Sequence, residues 1–250
     1  MQFNTAVRDL EEMGFEVRLR GPWEVIKRNW KSDKDWMVVF YLSTWREQDW
    51  REVRGEKLKN LNIVKLQSAL QQIQPSELRI ESELLLNLDI IKGVRELRYL
   101  ELRGCKGLQN INGLQKFTTL FGLTLIDCSG LKNIDGIKGL TKLKNVNLIG
   151  CRELENLDGL DGVTELYGLA LWRCTGLQNV KGLKGLRELS PKTRALLDFP
   201  VCTGAPDYSV PSGHITLSFY GCTNLSKSEI ESLRVSLPNS LSMGIDEGLK

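Results

Sequence analysis

The chain contains one histidine, His214, and its six cysteines form no C-x-x-C pair. The first scarcity leaves little for histidine-dependent catalysis, and the second removes the usual spacing of a structural zinc site. Long apolar runs are missing as well, since no segment approaches the ~20 apolar residues that a membrane-spanning helix needs. The opening "MQFNTAVRDLEEMGFEV" carries charges where a secretion signal needs an apolar stretch, so a cytoplasmic protein with reduced thiols is expected. Charge of one sign is not in excess either. Lysine and arginine (34) and aspartate and glutamate (31) are nearly equal and interleaved, which argues against the basic stripe typical of nucleic-acid binding, while the pI near 8.5 keeps that class as a third alternative. No G-x-G-x-x-G or phosphate-binding loop interrupts the many glycines. The partner expected is therefore neither a membrane nor a nucleic acid, and no cofactor or metal is expected.

What the sequence does have is 250 residues, 41% of them hydrophobic, enough for a sizeable core, and a strong internal repeat. Cys105, Cys128, Cys151 and Cys174 are 23 residues apart, and aligning them aligns everything else. The copies are "LRYLELRGCKGLQNINGLQKFTT" from Leu97, "LFGLTLIDCSGLKNIDGIKGLTK" from Leu120, "LKNVNLIGCRELENLDGLDGVTE" from Leu143 and "LYGLALWRCTGLQNVKGLKGLRE" from Leu166. Each x-L-x-L segment alternates with period two, which predicts a strand with its leucines turned inward. The apolar columns after the cysteine, such as Leu108, Ile111, Leu114 and Phe117, predict a tight, mostly non-helical return that fills the core from the other side. Gly113, Gly136, Gly159 and Gly182 share one position of that return, where a backbone angle forbidden to other residues is the expected reason.

The template L-x-x-L-x-L-x-x-C-x-x-L resembles the leucine-rich repeat, matched for example by Leu143, Val146, Leu148, Cys151 and Leu154. The return half is similar to the short repeats of phosphatase-regulator and internalin type, with cysteine where those usually carry asparagine. Neither the L-P-x-L-P motif of bacterial ubiquitin-ligase effectors nor the plant-type L-x-G-x-I-P motif is present. The resemblance implies an α/β fold: a curved solenoid with a parallel sheet on its concave face. Weaker copies extend it. Leu78, Ile80, Leu85, Leu88, Ile91 and Val94 supply an earlier turn, and Leu58, Leu61 and Ile63, with a short helix ending before Pro75, an initial one. Beyond the clear copies, Leu197, Phe199 and Cys202, and then Leu217, Phe219 and Cys222, fall into the same columns, which would place all six cysteines on one line.

A solenoid needs covers at its ends. Residues 1–56, with a helix in "NTAVRDLEEMG", the strand-like "FEVRLR", "WEVIKR" and "WMVVFYL", and five of the six tryptophans, form the expected N-terminal α+β capping unit. Residues 57–250 form the repeat domain, closed by a C-terminal helical cap in "SKSEIESLRVSLP", where Ser226 or Ser228 serves as N-cap. That helix resembles the helical return of cysteine-bearing repeats from F-box-type proteins.

Three roles compete for the cysteine column. A thiol can sit inward and hydrogen-bond neighbouring backbone at the strand end. Disulfides between adjacent turns are within Cα reach but badly oriented, because side chains in one column point the same way. A tetrahedral metal needs ligands converging on a point, and a column is a line. The structural role is the reading adopted.

Function is then sought on the outward residues of the strands. The column two before each cysteine reads Arg103, Ile126, Ile149 and Trp172, then Pro200 and Tyr220, mostly apolar at positions expected to face water. Tyr99, Arg103, Phe121, Ile126, Ile149, Tyr167, Trp172, Arg173 and Tyr220 are the expected partner-binding residues, since aromatics with arginine dominate binding hot spots. Glycines and other small residues beside them would leave shallow pockets. Asp158 and Asp161 read as solvated positions of the return, and no catalytic constellation is visible. The expected function is non-enzymatic binding of a protein or peptide on the concave face. The alternative makes the solenoid a targeting or sensing arm for an active, tryptophan-rich N-terminal domain.

Overall fold

The computed structural model describes residues 5–6, 8–9, 12, 15–20, 38–44, 47–55, 63–75, 77–81, 83, 85–95, 97–166, 168–185, 215–219, 221–236 and 241–245. Among the described residues ten strands form one sheet: β1 (Phe15–Arg20), β2 (Val38–Thr44), β3 (Glu47–Gly55), β4 (Glu77–Glu81), β5 (Tyr99–Arg103), β6 (Gly122–Ile126), β7 (Asn145–Ile149), β8 (Gly168–Trp172), β9 (Ile215–Phe219) and β10 (Leu241–Ile245). Their spatial order is β1-β3-β2-β4-β5-β6-β7-β8-β9-β10. From β4 onward every pairing is parallel and in step, with Leu78, Leu100, Leu123, Val146 and Leu169 abreast. This is the leucine-rich-repeat solenoid that the motif implies.

Period-two alternation puts Leu100 and Leu102, Leu123 and Leu125, Val146 and Leu148, and Leu169 and Leu171 inward, at most 2% exposed. The returns pass through short 3₁₀ turns at Leu114–Lys116, Asp135–Ile137, Asp158–Leu160 and Lys181–Gly185. Those turns press Leu114, Ile137, Leu160 and Leu183 into the same core. At roughly 1.5–3 kcal/mol for each fully buried aliphatic side chain, stability resides in contacts between neighbouring turns.

Two backbone devices hold the returns together. The carbonyls of Gln109, Lys132 and Glu155 accept from the N–H groups of Lys132, Glu155 and Gln178 at 2.9, 3.1 and 2.9 Å, so a second ladder runs parallel to the sheet. The recurring asparagine closes each turn on itself. Asn87, Asn110, Asn133, Asn156 and Asn179 each accept, through Oδ1, the N–H two residues on, at 2.9–3.3 Å.

The return glycines have two different reasons. Gly113 adopts a left-handed φ of 100°, as expected, with open space around the position a Cβ would take. Gly136, Gly159 and Gly182 do not belong to the left-handed set. There an added Cβ would lie 2.0, 2.0 and 1.9 Å from the carbonyl oxygens of Ile111, Ile134 and Leu157 in the preceding turn. Close approach of two backbones selects those three, and the expectation of a special angle is corrected.

Five cysteines stack inward as unbridged thiols, all fully buried. Cys128, Cys151 and Cys174 lie 3.7, 3.9 and 3.4 Å from the carbonyls of Leu102, Leu125 and Leu148 in the turn before. Cys222 faces the Leu171 carbonyl at 3.3 Å. That contact corrects the six-rung expectation. β9 pairs directly with β8, Gly168 opposite Thr216, so Cys222 follows Cys174 in the stack, where Leu197, Phe199 and Cys202 were expected to intervene. Those three residues themselves lie outside the described set, as does the expected strand "WEVIKR". The neighbouring Cys151 thiol, and then burial, push the Cys174 thiol up, and Cys174 together with burial does the same to Cys222, which disfavours their reactive thiolate form.

The ends differ from the expectation in detail. Helix α1 (Ile63–Ile73) already includes Ile63, the last of the three residues read as the template of an initial turn, and stops before Pro75 as predicted. Gln67 and Gln71 on it donate to the Lys92 carbonyl at 3.2 and 2.9 Å, tying it to the first return. At the N-terminal side β2 pairs antiparallel with β4, Val38 opposite Ile80, so the antiparallel strands in the order β1-β3-β2 continue the solenoid sheet. Helix α2 (Lys227–Ser236) is capped by Ser226, whose Oγ accepts the Glu229 N–H at 3.2 Å. It does not end the fold. β10 follows it and pairs parallel with β9, Met243 opposite Leu217, so α2 is the return of one more turn.

Candidate functional site: the concave sheet

The strand residues that do not point into the core form the concave surface. Ile126, Ile149 and Trp172 stand abreast on β6, β7 and β8, a row of large apolar side chains each half-buried. Full exposure was expected, and partial shelter is found. Behind this row lie Thr124, Asn147 and Ala170, with Asn147 Nδ2 donating to Thr124 Oγ1 at 3.4 Å.

The residues following the row form a second line, Gly104, Asp127, Gly150, Arg173 and Gly221, and all five have left-handed φ angles between 52° and 69°. This conformation turns the backbone N–H groups of Gly104, Asp127 and Gly150 onto the carbonyls of Ile126, Ile149 and Trp172 in the next strand, at 2.8, 2.7 and 2.7 Å. Glycine is the natural occupant, and aspartate is tolerated. Arginine is the exception. Each of the two side chains lies over the following glycine: Asp127 Oδ1 is 2.3 Å from where a Cβ on Gly150 would sit, and Arg173 Cγ is 3.5 Å from that of Gly221.

At the β4 end of the face the outward column is charged yet enclosed. Arg79 and Glu101 are only 2% and 5% exposed, and Glu101 receives the Nη2 of Arg79 on one oxygen and the Nε of Arg103, at 2.5 Å, on the other. Although Glu101 lies on the outward side of its strand, it is enclosed, and shared guanidinium groups compensate its burial. Arg103 is thereby committed to an internal ion pair, although its Nη2 has no hydrogen-bond partner.

The opposite rim is aromatic and basic. The rings of Tyr99 and Phe121 meet at 5.5 Å, and Lys144 stands 5.2 Å over Phe121 while reaching Glu165 at 3.6 Å. The shallow pockets expected at the small residues are filled from neighbouring strands. The Tyr99 ring is 2.8 Å from where a Cβ on Gly122 would be, and Asn145 Oδ1 is 2.0 Å from that of Gly168.

Of the nine residues nominated from sequence, then, Ile126, Ile149, Trp172 and Arg173 gather on one side of the face. Tyr99 and Phe121 gather on the other, with Arg103 in the charged cluster. Tyr167 and Tyr220, and the lone His214, lie outside the described residues. Sequence reading overlooked Asp127, for which the alternation of glycine with a charged residue just before five of the six cysteines is a readable signal. Among the described residues no three His, Cys, Asp or Glu side chains are grouped to hold a metal ion.

No protein-family model matches the chain, and no curated protein matches it. Among solved structures, the leucine-rich repeat domain of the type III effector XopL is similar at 17% identity and a TM-score of 0.40, over 72% of this chain and 71% of that one.

Proposed function

We propose that this chain is a protein-interaction module without chemistry of its own, which takes a protein or peptide partner on its concave sheet. The observation that carries the proposal is the row Ile126, Ile149 and Trp172, three large apolar side chains abreast on consecutive strands and turned away from the core. A folding role for them is already filled by the leucines alternating with them, each at most 2% exposed. Rows of this kind are what repeat proteins use for extended recognition surfaces. Replacing Trp172 and Tyr220 together by alanine tests it. Partner recovery should fall at least tenfold by the usual weight of an aromatic hot spot, with the unfolding midpoint of the protein preserved. Unchanged recovery from a folded variant would remove the concave face from consideration.

In this reading residues 1–56 are the cover of the solenoid's first turn and residues 57–250 the binding domain. The antiparallel pairing of β2 with β4 supports a cover, because it gives the first parallel strand a partner within the chain. No described helix is long and apolar enough to cross a membrane.

A further inference from the structure

The row Ile126, Ile149, Trp172 is bordered by two charges of opposite sign. Asp127 follows Ile126, and Arg173 follows Trp172, two strands further along the solenoid. Both are exposed, and among the described residues neither is engaged in an ion pair. Arg173 also holds a left-handed φ of 54°, where the same column carries glycine at Gly104, Gly150 and Gly221. A large side chain at such a position is disfavoured by the fold itself. The backbone geometry therefore disfavours an arginine there, and no described ion pair offsets that cost.

The geometry restricts what can lie across these groups. Adjacent strands are about 4.8 Å apart, so Asp127 and Arg173 are separated along the solenoid by roughly 9.6 Å. An extended segment presents side chains to one side every ~6.6 Å, at i, i+2 and i+4, and meets the two charges at neither ~6.6 nor ~13 Å. An α-helix rises about 10.5 Å between i and i+7, on one face, and its pitch of about 5.4 Å sets one turn against each strand.

We infer that the partner element is an amphipathic α-helix lying across the strands, with its apolar residues at i+3 and i+4 on Ile149 and its i and i+7 positions at the two ends of the row. A basic side chain falls at the Asp127 end and an acidic one at the Arg173 end. The inference rests on the concave-face reading above and deepens it by naming the partner's secondary structure and charge pattern.

The test uses the full chain and synthetic, fluorescently labelled 14-residue helical peptides on an alanine-rich host with leucine at i+3 and i+4. One peptide carries Lys at i and Glu at i+7, a second Lys at both, and a third Glu at both. A fourth keeps the composition of the first and includes prolines that enforce an extended form. The mixed-charge helix should bind best by fluorescence anisotropy. Arg173→Glu, which leaves two acidic groups bordering the row, should shift preference to the doubly basic peptide, and Asp127→Lys to the doubly acidic one. Each shift should be about fivefold and should diminish with salt. Trp172→Ala, which removes the large apolar group at one end of the row, should weaken binding of all the helical peptides alike.

Helical binding that ignores both reversals would overturn the charge assignment. Binding of the extended peptide alone, dependent on Trp172, would overturn the helix while leaving the concave-face reading intact. Binding of no peptide would overturn the inference, and the Trp172 and Tyr220 double substitution would then decide separately whether the face binds a partner at all.

Discussion

The middle turns and the terminal turns of this solenoid solve the same packing problem with different materials. Between β5 and β8 the chain returns through 3₁₀ turns of three residues, and successive returns touch backbone to backbone at Gly136 and Gly159. At the ends it returns through α-helices of 11 and 10 residues, attached by side chains: Gln67 and Gln71 to Lys92 on one side, Glu229 to the Val180 N–H at 3.2 Å on the other. A helix is roughly 10–12 Å across with its side chains, far wider than a strand spacing of about 4.8 Å. Narrow returns can therefore stack in long series at the pitch of the sheet, whereas wide returns suit places where one neighbour is missing.

The sharpest way to break the middle pattern is Gly159→Ala. Its Cβ would meet the Ile134 carbonyl at 2.0 Å, so two turns must separate, with an expected loss of about 3 kcal/mol read from the urea midpoint. Gly113→Ala sits in the same column but in open space at φ 100°, and should lose only about 1 kcal/mol. Asparagine separates the two causes further, since it tolerates a left-handed backbone. It should nearly rescue position 113 and remain as damaging as alanine at 159. Asn156→Ala removes the acceptor of the Asp158 N–H and should cost about 1 kcal/mol without altering the circular dichroism spectrum. At the terminal side, Glu229→Ala leaves the Val180 N–H without its carboxylate and should also cost about 1 kcal/mol, with faster amide exchange in α2 than in β6 or β7. The smallest effect should be a gain: Arg173→Gly relieves a left-handed arginine and should stabilise by about 0.5–1 kcal/mol in thermal unfolding.

The middle turns were legible in the sequence almost to the residue, because each inward position is set by periodicity and four copies repeat it. What escaped was determined by contacts between turns. A glycine column looks the same whether an angle or a carbonyl demands it, and only coordinates separate Gly113 from Gly159. Cys202 matched the template by spacing, yet pairing of β9 with β8 depends on which strand reaches the sheet edge, something a motif does not encode. The helix "SKSEIESLR" was readable through its cap, while "LSMGI" was too short and too weakly patterned to announce β10. On the concave face the row of Ile126, Ile149 and Trp172 followed from alternation. The enclosure of Glu101 did not, since it needs Arg79 from one strand and Arg103 from its own.

The hydrogen bonds that pass from Gln109 to Lys132, Glu155 and Gln178 run along the back of the molecule while the strand pairings run along the front. A coil stitched on both margins cannot gape in the middle without tearing two seams at once, so thermal opening must start from the extremities and travel inward. Solvent deuterium would then enter β6 and β7 last, and a partner bridging β6 to β8 would rest on the most persistent part of the chain.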